Sequence, residues 1–137
     1  MSNLENKLKK IVNTFNNIDK NLAYEDIKKL STKYQKNINV LNVLSQIAQK
    51  MGDIDTTINS LKKILLIDKG NIECISKIYK LLLTKSLLDE ALANINLILR
   101  IDKDHYEAIR DKAYIYFLKN NFDKAKKYID CISKLQE

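Results

Sequence analysis

The sequence predicts an all-α fold, an α-solenoid of antiparallel helix pairs, and three observations carry that expectation. The stretch DTTINSLKKILLID at Asp55–Asp68 returns 34 residues later as DEALANINLILRID at Asp89–Asp102. Apolar residues recur at steps of three and four, the spacing that gathers them on one side of a helix. The 137 residues contain no proline and two glycines, so little in the chain would break a helix or build a hairpin turn. A hydrophobic content of 45% is enough for a buried core.

Sliding the chain against itself by 34 residues extends the match on both sides of those stretches. Leu41, Ile75 and Ile109 align, as do Ile47, Leu81 and Ile115. Further on come Asp55, Asp89 and Asp123, then Thr57, Ala91 and Ala125, then Leu61, Ile95 and Ile129. Ile64, Ile98 and Ile132 follow. Units of residues 38–71, 72–105 and 106–137 thus succeed one another without insertion. In each unit the helical spacing is interrupted once, by KMGD at Lys50–Asp53, TKS at Thr84–Ser86 and KNN at Lys119–Asn121, so each unit is a helix, a turn and a helix. Ser86 with Asp89, and Asp104 with Glu107, have capping-box spacing and are expected to start helices. The acidic pairs Glu25–Asp26 and Asp89–Glu90 are expected in first turns, where carboxylates suit the helix dipole. Gly70 followed by Asn71 marks one helix ending and the next beginning.

The pattern resembles that of the tetratricopeptide repeat (TPR) family, a large-x2-Leu-small-x2-Tyr helix followed by an Ala-x3-Phe helix. Leu41-x2-Leu44-Ser45-x2-Ala48 and Thr57-x3-Leu61 fill it in one unit. Ile75-x2-Ile78-Tyr79-x2-Leu82 with Ala91-x3-Ile95, and Ile109-x2-Lys112-Ala113-x2-Tyr116 with Ala125-x3-Ile129, fill it in the next two. Lys69 and Lys103 stand where the family has proline, Tyr79 occupies a small-residue position, and Lys112 replaces a leucine. The resemblance implies a right-handed superhelix of helix pairs forming a single domain.

Residues 1–37 fit the same pattern more loosely, with Leu8-x2-Ile11-Val12-x2-Phe15, then Ala23-x3-Ile27-x2-Leu30, and a turn one residue shorter. They make either a degenerate TPR-like unit or a capping helix pair. At the other end Ile58 and Leu92 give way to Lys126, and Leu65 and Leu99 to Ser133. That exchange is expected to form a solvated end to the array, with the chain as the whole protein. Leu135 and Ile132 keep weak self-association open, with a monomer favoured.

Several function classes are disfavoured by composition. The start, MSNLENKLKKIVNTF, lacks the apolar run of a secretory signal, and no stretch approaches the length of a membrane span. Cys74 and Cys131 are far apart and outside any CxxC or Cys/His cluster, which suits reduced thiols in the cytoplasm and leaves no metal site. The single histidine, His105, has no nucleophile at a recognisable spacing and suits a turn or cap; neither glycine belongs to a phosphate-cradling loop. No catalytic residue and no cofactor are expected. The net charge of +7 raises nucleic acid as a partner, yet only Arg100 and Arg110 among 24 basic residues carry the bidentate fork suited to phosphate, and the Lys, Asn and Ile content is that of an AT-rich genome.

Binding is the stronger expectation. In the resembled family the first helices of successive units line a concave groove that holds an extended peptide or a partner helix. Carried over, that implies Asn13 beside Lys9 and Asn16; then Asn39, Asn42, Val43, Gln46 and Lys50; then Lys77 and Lys80 with Glu73, Ser76 and Thr84. Last come Arg110, Tyr114 and Phe117 with Glu107, Asp111 and Leu118. Asn and Gln amides can pair with the backbone of a ligand, cations with its carboxylates, and aromatic rings with an apolar anchor. A clamp for acidic chaperone tails does not fit, because Val43, Glu73, Glu107 or Asp111 contradicts it in either register. The expected function is a non-catalytic interaction module, adaptor or scaffold for a protein or acidic peptide. A basic nucleic-acid or ribosome-associated protein, and a secretion or assembly chaperone, remain the alternatives.

Overall fold

The computed structural model describes residues 2–137 and, among them, eight α-helices and no strand. They are α1 (Asn3–Asn17), α2 (Lys20–Lys33), α3 (Ile38–Lys50), α4 (Ile54–Ile67), α5 (Ile72–Thr84), α6 (Leu88–Ile101), α7 (Tyr106–Leu118) and α8 (Phe122–Leu135). The repeat is visible in the helix bounds themselves. First helices of 13 residues start at Ile38, Ile72 and Tyr106, and second helices of 14 residues start at Ile54, Leu88 and Phe122. The helices form two compact units, α1–α4 up to Lys69 and α5–α8 from Gly70.

Turn chemistry fixes where each pair folds back. Gly52, Ser86 and Asn120 occupy equivalent places one repeat apart and all have left-handed backbones, with φ of 78°, 60° and 60°. At Gly52 the hydrogen bonds Gly52 N–H to Gln49 O and Asp53 N–H to Ala48 O satisfy the last carbonyls of α3, and the same pair of bonds recurs at Ser86 and Asn120. The residue after each of these then opens the next helix. Asp53 and Asn121 do so with side-chain caps on Thr56 N–H and Lys124 N–H. The α1–α2 turn has two residues, Ile18 and Asp19, and no left-handed residue among them.

Three local expectations are corrected. Ser86 does not open α6; it is the left-handed residue that closes α5, and the residue before α6 is Leu87, which has no side-chain cap. Asp104 stands one place too early to cap α7, and His105 does so instead, its Nδ1 accepting from Ala108 N–H at 3.2 Å. Glu25 and Asp26 lie inside α2, whose first turn carries no acid; Asp89 and Glu90 do lie in the first turn of α6. Asn71 caps α5 through Cys74 N–H, as the Gly70–Asn71 boundary implied.

The first unit buries Leu8, Ile11 and Phe15 of α1 against Ala23, Tyr24 and Ile27 of α2 and Val40, Leu44, Ile47 and Ala48 of α3. Tyr24 keeps its hydroxyl satisfied by donating to Asp53, the cap of α4. In the second unit Ile78, Tyr79, Ile95, Ile98 and Ile115 are fully buried, with Ala91, Ala108 and Ala113 beside them. Small residues there let paired helices approach closely. On α8 Ala125 is buried but Ile129 is 54% exposed, so Ile129 leaves the pattern set by Leu61 and Ile95, which are both buried. Lys126 and Ser133 are exposed on the same helix.

Candidate functional site

In the first unit the α1 and α3 faces carry Asn13, Asn39, Asn42, Gln46 and Lys50, all exposed. A cavity of about 450 Å³ opens between the two helices, with Leu8, Val12 and Val43 as its apolar lining and Lys9, Asn13 and Asn16 as its polar lining. Of the residues that the sequence placed on this face it gathers Lys9, Asn13, Asn16 and Val43. The Asn13 carboxamide oxygen already accepts from Asn17 Nδ2 at 2.8 Å, which leaves its amide donors for a ligand. Lys50 lies over the Phe15 ring, its Nζ 5.7 Å from the ring centre. The remaining three, Asn39, Asn42 and Gln46, follow one another along α3 outside that cavity.

The second unit brings more of the expected residues into one arrangement. Lys80 on α5 pairs with Glu107 on α7, and Lys77 with Glu73 within α5 at 3.3 Å. Arg110 Nε donates to Asp111 at 3.1 Å, and the other oxygen of Asp111 accepts the hydroxyl of buried Tyr79. The shifts follow from these contacts. Lys80 holds the Glu107 carboxyl below its ordinary range, and Asp111 raises the Arg110 guanidinium. Burial first, and Asp111 second, push the Tyr79 phenol well above its usual value. The cations that a sequence reading offers to an acidic ligand are therefore already matched by acids of this chain. The exposed pairs of Lys77 and Lys80 are worth about 0–1 kcal/mol each, so a ligand carboxylate can exchange into them at small cost, whereas Asp111, 14% exposed and bonded to Tyr79, stays in place.

Beside the pairs, α7 exposes Tyr114 (53%), Phe117 (57%) and Leu118 (42%), which continue the line of Arg110 at helical spacing. Phe122 of α8 packs its ring edge-on to Phe117 at 5.7 Å. This patch is what the arrangement has to offer chemically: an apolar surface with exchangeable charges at one side. Sequence reading named Phe117 but not Phe122, and it placed Glu107 and Asp111 on the face without assigning their partners. The 34-residue register was the available signal, because residues somewhat less than one repeat apart meet across consecutive first helices.

No protein-family model matches the sequence, and no curated protein matches it. Solved structures do. A crystal structure of MamA is 17% identical, with 96% of this chain and 72% of that chain covered at a TM-score of 0.78. A tetratricopeptide repeat protein from Parabacteroides merdae ATCC 43184 is 22% identical, with 96% and 52% covered at a TM-score of 0.79. The chain has the tetratricopeptide repeat fold. A MamA RS-1 double mutant, at 9% identity and a TM-score of 0.77 over 98% of this chain, shows how little sequence the TPR helix array requires. Spacing and side-chain size carry that fold.

Proposed function

We propose that the chain is a non-catalytic protein-interaction module, an adaptor whose α5/α7 face takes an apolar segment of a partner bearing one or two carboxylates. The observation that carries this reading is the exposed Tyr114, Phe117 and Leu118 beside the Lys80–Glu107 and Arg110–Asp111 pairs. Large aromatic side chains exposed together on one helix lose water on binding, and a ligand acid replaces Glu107 against Lys80 or adds to Asp111 at the exposed Arg110. The α1/α3 face of the first unit suits a different contact, hydrogen bonding of Asn13 amide donors to an extended backbone above Val12 and Val43. The cytoplasm is the compartment this reading takes, where a buried Cys74 and a part-buried Cys131 would both stay reduced.

An array of synthetic peptides combining Phe, Tyr or Leu with Asp or Glu tests the proposal. Tyr114→Ala with Phe117→Ala should weaken the best binder about tenfold or more, while Lys62→Glu with Lys63→Glu on α4 should leave it within about twofold. Equal losses in the two variants would overturn the α5/α7 reading. So would affinity that collapses by orders of magnitude over a few-fold rise in salt, which is the mark of phosphate binding by the lysines.

A further inference from the structure

A second surface, on the first unit, has chemistry that the α5/α7 face lacks. Between α1 and α2 opens a cavity of about 380 Å³, floored by Ile11 and Leu30 and flanked by Lys7 and Lys10 of α1 and Lys29 and Lys33 of α2. The positions 7, 10, 11 and 14 on α1, and 26, 29, 30 and 33 on α2, recur at helical steps, so each helix gives one stripe to the cleft. Among the described residues none of these four lysines forms an ion pair, whereas Lys77, Lys80 and Arg110 each have an acid of their own. Four ammonium groups around one cleft repel one another, and a ligand that brings negative charge relieves that repulsion.

We propose that the α1/α2 cleft docks an acidic amphipathic segment of a partner protein, an aliphatic ridge seated on Ile11 and Leu30 with carboxylates reaching the lysines on both sides. The apolar floor argues for a ligand with side chains to bury. No aromatic ring lines the cleft, so it offers no platform on which nucleic-acid bases could stack. A concave trough between two helices also suits a convex ridge of side chains better than a flat bilayer. Asp26 lines the cleft toward the α1–α2 turn, where it repels a ligand acid. The docked segment therefore puts its acid-rich end near Lys7 and Lys33. This surface is independent of the α5/α7 face and can succeed or fail without it.

The test uses the full chain and a fluorescein-labelled synthetic helix with leucines along one stripe and glutamates flanking them. Beside it are run the same peptide with lysine for glutamate, a short single-stranded oligonucleotide, and phosphatidylglycerol vesicles. Lys10→Glu with Lys29→Glu should weaken the acidic peptide about tenfold or more, Lys10→Arg with Lys29→Arg should retain it, and Lys62→Glu with Lys63→Glu should change it less than about twofold. Asp26→Asn should tighten binding a few-fold. If the Glu pair lowers the melting temperature, Lys10→Gln with Lys29→Gln gives the same comparison without charge reversal. Amide shift mapping should place the peptide at Lys7, Lys10, Lys29 and Lys33. Equal losses in cleft and control variants, shifts centred on Asn13 and Val43 instead, or tighter binding of the oligonucleotide or vesicles would each overturn the proposal.

Discussion

Tyr79 stands where the repeat pattern asks for a small side chain, yet it is fully buried. Its ring fills space that Ser45 and Ala113 leave at the equivalent places, and its hydroxyl donates to Asp111 on the neighbouring first helix. A buried phenol with a charged acceptor is satisfied, so the departure from the pattern brings no orphaned polar atom. Lys112 is accommodated in a similar way. Its Nζ donates to Asn96 at 2.8 Å and lies 4.7 Å from the centre of the Tyr128 ring, so the lysine spans α6 and α8 where a leucine would only pack. Sequence revealed both departures but not their remedies, because each partner lies on another helix. Tyr79→Phe should cost about 0.5–1.5 kcal/mol at neutral pH by chemical denaturation. A phenol whose folded pKa is raised stabilises fully below its unfolded value, and that contribution is lost as pH rises toward the folded one. The fall in stability above about pH 10 should therefore be shallower in Tyr79→Phe. Asp53 has the opposite sign. The Tyr24 hydroxyl first, then the Thr56 amide and hydroxyl, lower its pKa, so its contribution is present above the unfolded carboxylate value and lost as pH falls through the folded one. Asp53→Asn, which retains a cap, should flatten the acid limb below about pH 4.

At the scale of the helices, the spacing of apolar residues announced a helix, a turn and a helix in each regular unit, and in the structure the helix starts recur at 34-residue steps, at Ile38, Ile72 and Tyr106 and at Ile54, Leu88 and Phe122. Caps were less legible. Ser86 has both the residue type and the spacing of a helix opener, but the turn holds a left-handed residue at that place and starts the helix after the next one, which is Asp53 or Asn121 in the other units and the uncapped Leu87 here. Only comparison across the repeat, with Gly52 and Asn120, separates these demands. The consequence is measurable. The space around Gly52 is open, with no atom within 4 Å of an added Cβ, so Gly52→Ala should cost about 1 kcal/mol through backbone strain alone. Ser86→Gly should gain a few tenths to about 1 kcal/mol by relieving the same strain, and a double variant should come close to additivity. Ala91, fully buried, probes packing where Gly52 probes the backbone. Ala91→Leu should cost about 1–3 kcal/mol by overpacking, and unchanged melting would contradict its place in the core.

At the scale of the whole molecule, the exposed side of α8 was only partly legible. Lys126 and Ser133 are exposed, as their exchange for apolar residues implied. The pattern also assigned Ile129 to packing, since Leu61 and Ile95 are buried at the equivalent places, but a repeat register states which side of a helix is apolar and not whether another helix lies there. In the second unit α6 has α5 and α7 packed against it and Ile95 is fully buried, whereas α8 packs against α7 and leaves Ile129 54% exposed and Leu135 42%. Charged neighbours break this surface up: Lys126, Lys127, Asp130 and Lys134 stand around Ile129 and Ile132. Apolar atoms scattered among charges bind each other weakly, whereas a continuous stripe of several hundred Å² is sticky. Lys126→Leu with Ser133→Leu would join Ile129 and Ile132 into such a stripe and remove one positive charge from a chain of net +7, which also lessens repulsion between copies. Light scattering should then show concentration-dependent self-association in the double variant and a monomer in the parent. Restoring a charge with Ile129→Lys in the same background should return the monomer at little cost in stability, because the side chain replaced is already more than half in water. A double variant as monomeric as its parent would mean that the outer side of α8 is covered by something other than these charges.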